Sequence, residues 1–208
     1  MHAEEIRIDA QQNYTIHLGH EELVQCLTML LRRPLFGFIE VGSANGGSFH
    51  CWGRAIPKGP KVSVDWNQGF GNGLGGTDAV HEGDCRPVYD RNTKWRSFFT
   101  DVRIVEGNSL QQTTVDACRT ILRGEQVDWL FIDADHTYTA AQHDLENYSP
   151  FVRRGGYIGF HDIRFNTEMQ TFWTDIKRVH EHRRGRVFEF PDSTYPNVKS
   201  NGIGILQL

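Results

Sequence analysis

No apolar run in the 208 residues approaches the ~20 needed to span a bilayer. Stretches such as 29–31 and 129–132 fall far short, so no transmembrane helix and no membrane partner are expected. A basic excess is also missing. Lys and Arg number 22 against 26 Asp and Glu, and the resulting −4 with neutral His argues against a partner recognised through its phosphate backbone. Cysteine is scarce and scattered: Cys26, Cys51, Cys85 and Cys118 include no CxxC pair, which disfavours a structural zinc site and a disulfide framework and leaves reduced, mostly buried thiols. The start, MHAEEIRID, has neither the basic opening nor the apolar run of a secretory signal, so a cytoplasmic location is expected.

What is present suits a globular domain. The length fits one domain over 1–208, with a helical N-terminal extension at 1–34 and a glycine-rich insertion at 67–92. Leu23, Val24, Leu27, Leu30 and Leu31 recur at helical spacing between His20 and Arg33, before Pro34 stops the run. LFGFIEVG then reads as a strand and glycine turn, and SFHCWGRAI as the helix that follows. KVSVDW, RIVEG, VDWLFID and GGYIGFHD are further strands, separated by helical stretches near 110–123 and 137–148. This alternation predicts a mostly parallel sheet covered on both faces. After a helix near Met169–Arg183, RVFEF and GIGILQL are joined without a helix and must pair antiparallel. Residues 67–78, NQGFGNGLGGTD, hold five glycines and read as a loop, either an ordinary insertion or a lid.

Ligands of such sheets bind beyond the carboxyl ends of the strands. The first of these ends is Glu40-Val41-Gly42-Ser43-Ala44-Asn45-Gly46-Gly47-Ser48, a glycine turn entering a helix whose free N–H groups favour a polar or anionic ligand. Asp65 ends the second strand, where a carboxylate can accept from ribose hydroxyls. A nucleoside cofactor follows, although the turn can also be read as a dinucleotide pattern. FIDADH and GFHDI then crowd Asp133, Asp135, His136, His161 and Asp162 onto one rim. Carboxylates this close repel unless a cation or shared proton compensates, and a hard divalent ion is the economical solution. An Asp after a strand also serves as a helix N-cap, the competing structural explanation.

EVGSANGGS resembles motif I of the class I S-adenosylmethionine-dependent methyltransferases. VDWLFIDADHTYTAAQHDLENYSPFVRRGGYIGFHDI, with TFWTDIK after it, resembles the small metal-dependent O-methyltransferases of the cephalosporin hydroxylase-like and macrolide-sugar group. The likeness covers roughly residues 36–180 and is most specific over 127–162. It implies a Rossmann-like α/β fold, with a mostly parallel seven-stranded sheet, helices on both faces and a C-terminal antiparallel hairpin. It further implies that Glu40, Gly42, Ser43, Gly46, Ser48, Asp65, Trp66, Asn108, Ser109 and Asp133 line the S-adenosylmethionine site. Asp133, His161 and Asp162 would hold a divalent metal (Mg²⁺, or a transition ion such as Mn²⁺), and His136 would be the catalytic base. Asn108 replaces a common acid, and His161 stands where the macrolide-sugar enzymes are acidic.

The expected activity is metal-assisted O-methyl transfer to a hydroxyl of a small molecule, a sugar moiety of a natural product being one candidate. The alternatives are a nicotinamide-dependent oxidoreductase and a catalytically silent nucleoside-binding protein on the same fold. A homo-oligomer is compatible with the sequence.

Overall fold

The computed structural model describes residues 1–66, 88–191 and 201–208, with residues 88–90 described by backbone alone. The glycine-rich stretch, Cys85 and most of the connection between the last two strands therefore lie outside the described residues.

In chain order the elements are α1 (Ala3–Asn13), α2 (His20–Leu30), β1 (Phe36–Val41), α3 (Gly47–Ala55), β2 (Lys58–Asp65), α4 (Val88–Phe98), β3 (Val102–Glu106), α5 (Gln112–Leu122), β4 (Val127–Ile132), α6 (Tyr138–Tyr148), β5 (Val152–Phe160), α7 (Thr167–His182), β6 (Arg186–Phe190) and β7 (Ile203–Gln207). The seven strands form one sheet in the order β3-β2-β1-β4-β5-β7-β6. β1 to β5 pair parallel, whereas β7 runs antiparallel to both β5 and β6. The expected C-terminal hairpin is present, with β7 placed between β5 and β6. No described helix is long and apolar enough to cross a membrane.

Alternation along the strands sends neighbouring side chains to opposite faces. Ile39, Val41, Leu130 and Ile132 pack with Val115 and Cys118 of α5, Ala141 of α6 and Phe172 of α7. Phe38, Trp129 and Phe131 pack on the other face with Ile6 of α1, Leu27 of α2, Trp52 of α3 and Trp95 of α4. Both faces are buried, so the strands read as continuous apolar runs. Cys26, Cys51 and Cys118 are free and buried. The helical N-terminal extension resolves into two helices, α1 joining α2. α4 is a helix that was not anticipated in the sequence, and it takes in the last residues of the expected 67–92 insertion.

The order in which strands are laid down reverses between β1 and β4. From β1 the chain steps outward through β2 and β3, then returns to β4 on the other side of β1. The carboxyl ends of these two strands flank the crevice in which α/β sheets bind ligands.

Candidate active site

The glycine turn leaves β1 at Gly42, whose φ of +83° is a left-handed conformation natural to glycine. A Cβ here would lie 2.1 Å from the Asp133 carbonyl oxygen, so the absence of a side chain lets the turn rest directly against the chain leaving β4. Gly46 has φ +88° and precedes α3, with Trp95 Nε1 donating to its carbonyl at 3.2 Å. The N-terminal segment closes over the same turn. A Cβ on Gly47 would meet the Thr15 carbonyl and Ile16, and Asn45 Nδ2 lies 3.0 Å from His17 Nε2.

Two acids brace this turn. Glu40 is fully buried beneath it and accepts from Trp52 Nε1 at 2.9 Å, while its Oε2 makes no hydrogen bond of sound geometry among the described residues. Burial pushes its pKa up to about 8, partly opposed by the Ser48 and Ser43 hydroxyls. It supports the turn from within. Ser43 Oγ lies 2.8 Å from Ser63 Oγ, and Ser48 is buried. Asp65, at the end of β2, accepts from the Ser43 and Ala44 amides at 2.8 and 2.9 Å through Oδ2. Arg91 Nη1 lies 3.4 Å from the same oxygen, donates to the Ala44 carbonyl, and its guanidinium stacks on Trp95. Trp66 beside it is 39% exposed. Asn108 folds back to accept from Leu110 N at 2.9 Å, and the Ser109 carbonyl accepts from Tyr148 Oη at 3.1 Å.

The second half of the site gathers at the ends of β4 and β5. His136 Nε2 lies 2.7 Å from Asp162 Oδ2 and 3.6 Å from Asp133 Oδ1. His161 Nδ1 lies 3.2 Å from Asp133 Oδ1 and 3.4 Å from Asp162 Oδ2. Asp133, His136 and Asp162 each present a ligand-competent atom, all within 4.8 Å of one another. Asp162 adopts φ +58°, a sparsely populated conformation for a residue with a side chain, of the kind that clusters at functional sites. Its Oδ1 is buried without a hydrogen bond among the described residues, as expected of an oxygen whose partner is a cation.

Burial alone would keep these groups neutral, but their mutual charge prevails. Asp133 is desolvated, yet the His161 and His136 rings hold its carboxyl well below the usual range, and Asp162 is lowered likewise. Burial would lower His136, but Asp133 and Asp162 raise it to about 11. His161 is raised well above its ordinary value against the same burial cost, by the same two carboxylates.

Three residues of this neighbourhood went unnoticed in the sequence. Glu22 reaches His161 from α2, Arg91 clamps the glycine turn, and Asp144 is a fully buried acid whose pKa burial raises to about 7. Glu22 carried only a capping signal, three residues after Gly19, and Arg91 lay next to a glycine-rich stretch without periodicity. Asp144 looked like one more polar residue on a helix.

Residues 39–163 match a family model described as a methyltransferase domain. A search of curated proteins finds "Uncharacterized protein R132" of Acanthamoeba polyphaga mimivirus, 24% identical over 150 residues that make up 72% of this chain and 61% of the viral protein. Thus the chain spans less than two thirds of that relative. Among solved structures, an O-methyltransferase from Bacillus cereus in complex with S-adenosylhomocysteine superposes with a TM-score of 0.59 at 17% identity, covering 99% of this chain and 90% of its own. TomG, an O-methyltransferase from Streptomyces achromogenes involved in tomaymycin synthesis and solved with S-adenosylmethionine, gives 0.58 at 12%, covering 88% and 78%. MycE, a methyltransferase of the mycinamycin pathway solved with Mg, S-adenosylhomocysteine and mycinamycin VI, gives 0.53 at 13%, covering 97% of this chain and 47% of its own.

Proposed function

Because the chain belongs to the methyltransferase domain family, we propose that it transfers a methyl group from S-adenosylmethionine to a hydroxyl oxygen of a small molecule, with the help of a divalent cation. The observation that carries this reading is the convergence of Asp133, His136 and Asp162 beside the Gly42 turn, which puts an acid–base cluster next to a nucleoside-type crevice. The antiparallel β7 between β5 and β6 and the family match weigh against the nicotinamide alternative. MycE, solved with Mg and mycinamycin VI, supports the cation and a biosynthetic small molecule as acceptor, of which a sugar moiety of a natural product is one candidate.

S-adenosylmethionine supplies an electrophilic methyl on a sulfonium, and a divalent cation when bound supplies charge that lowers the pKa of the acceptor hydroxyl. The chain's residues do the rest. The turn from Gly42 to Gly47 brings the backbone close at the start of α3, and Asp65 offers a carboxylate for ribose hydroxyls. Trp66 and the Asn108–Ser109 corner border the place for the adenine. Asp133 and Asp162 hold the cation, and the orphaned Asp162 Oδ1 fits that task. With a divalent cation bound, its charge would offset that of Asp133 and Asp162, which otherwise hold the ring protonated, and His136 would then accept the hydroxyl proton at Nε2, the ring atom that faces both carboxylates. Proton removal leaves an oxygen lone pair to form the new C–O bond while the C–S bond breaks with its electrons to sulfur. Holding acceptor and donor in line is the chain's main contribution to rate.

The test has two stages. Calorimetry should show S-adenosylmethionine binding and no NAD binding, and incubation with hydroxylated metabolites should yield a product heavier by one methyl group with an ether linkage. Binding of NAD in preference to S-adenosylmethionine, or a methyl found on nitrogen or carbon, would overturn the reading.

A further inference from the structure

The best-organised charged side chain beside the site belongs to neither strand end. Glu22 sits in the first turn of α2 and is 1% exposed. Its Oε1 accepts from Gly19 N at 2.7 Å and lies 2.9 Å from His161 Nε2, and its Oε2 accepts from Gly202 N at 2.7 Å. It thus ties together the start of α2, the end of β5 and the chain entering β7.

We propose that Glu22 is the positioning residue that makes His161 a ligand of the cation, by holding the ring through Nε2 and directing Nδ1 between Asp133 and Asp162. The inference rests on the cation reading given above and extends it to the N-terminal helix. A neutral imidazole has one lone pair to offer, and here both ring nitrogens face carboxylates, Nε2 that of Glu22 and Nδ1 those of Asp133 and Asp162. With Nε2–H held on Glu22, a cation seated between Asp133 and Asp162 would displace the proton on Nδ1, the atom 3.2 Å from Asp133 Oδ1 and 3.4 Å from Asp162 Oδ2, and use that nitrogen's lone pair. A carboxylate on the far nitrogen is the usual orienting partner of a metal-bound imidazole, and it also raises the ring's basicity as a ligand.

The competing explanation is a capping box that happens to touch a histidine. Capping needs one oxygen at an exposed helix end, and a surface Glu supplies it without desolvation. Glu22 instead carries a carboxylate out of water, which costs free energy unless the contacts replace its hydration. Both of its oxygens are engaged, one of them with the ring. A nitrogen ligand also has a consequence that a cap lacks: the site should favour transition ions over Mg²⁺ by more than an all-oxygen site would.

Titrating Mn²⁺ and Mg²⁺ separately into the whole chain tests this without turnover. In Glu22→Gln, Mn²⁺ affinity should fall roughly ten- to hundredfold. Mg²⁺ affinity should fall less, so the Mn²⁺/Mg²⁺ ratio drops, while S-adenosylmethionine affinity holds. General loosening would weaken all three together, and that result, or an unchanged Mn²⁺ affinity, overturns the role of Glu22. A measurement on wild-type Glu22 covers the case in which the variant does not fold. Pulsed electron paramagnetic resonance of the Mn²⁺ complex should show coupling to a directly bound nitrogen that persists in His136→Ala and vanishes in His161→Gln. Loss of the coupling in His136→Ala assigns the nitrogen to His136 and overturns the proposal. Failure of the wild-type chain to bind either ion would instead remove the cation reading itself.

Discussion

His136 Nε2 stands 2.7 Å from Asp162 Oδ2, which joins the end of β4 to the end of β5 through one imidazole. In the proposed reaction this ring takes the proton of the acceptor hydroxyl. His136→Ala should lower turnover by about two to four orders of magnitude, the usual worth of a general base. S-adenosylmethionine affinity should be nearly unaffected. Turnover at the wild-type rate would transfer the proton-accepting role to another group.

Asp162 should matter through the cation. Asp162→Asn is expected to weaken Mn²⁺ or Mg²⁺ binding more than roughly tenfold, since a formal charge and a good oxygen ligand are both lost. Chelation of the wild-type protein should abolish methyl transfer and added cation should restore it. Full activity after exhaustive chelation contradicts this.

Asp65 presents a second, separable test. Asp65→Ala should cost about 1–3 kcal/mol of S-adenosylmethionine affinity, because ribose hydroxyls and the Ser43 and Ala44 amides lose an acceptor. Asp65→Asn keeps one acceptor and should fall between wild type and Ala. Calorimetry on folded variants decides, and equal affinities across the three would remove Asp65 from the cofactor site.

At Gly42 the expected outcome is structural. Gly42→Ala places a methyl 2.1 Å from the Asp133 carbonyl at φ +83°, so the turn and the chain leaving β4 must part. Strain of this kind costs about 1–3 kcal/mol, visible as a lower melting temperature together with weaker S-adenosylmethionine binding. A variant as stable as wild type would mean that the turn sits elsewhere.

Glu40 predicts the sign of a pH effect. Its carboxyl titrates at about 8 in the folded protein against an ordinary 4.5. Between those values the folded state holds a proton that the unfolded chain has released. The contribution to stability is therefore complete below pH 4.5 and is lost as pH rises through the folded value, at no more than roughly 1.4 kcal/mol per pH unit. Denaturant unfolding from pH 5 to 8 should show wild type losing stability faster than Glu40→Gln. Asp144, raised to about 7, acts with the same sign, so the difference between the two proteins is the informative quantity. Parallel slopes would show that Glu40 is ionised when folded.

The sequence by itself determined the strands, the hairpin and the rim on which Asp133, His136, His161 and Asp162 gather. Period-2 and helical spacing fix which faces must be buried, and a parallel sheet places every strand end, hence Gly42, Asp65, Asp133 and Asp162, on one edge. The N-terminal helix α2 was legible from Leu23, Leu27 and Leu30, but nothing in that periodicity says what Glu22 touches. Only tertiary structure decided that Glu22 meets His161, that Arg91 clamps the glycine turn, and that Glu40 is fully buried beneath it. The physical reason is range: local pattern encodes burial and direction along one element, whereas these partners are chosen by the packing of α2, α4 and β5 against elements far away in the chain.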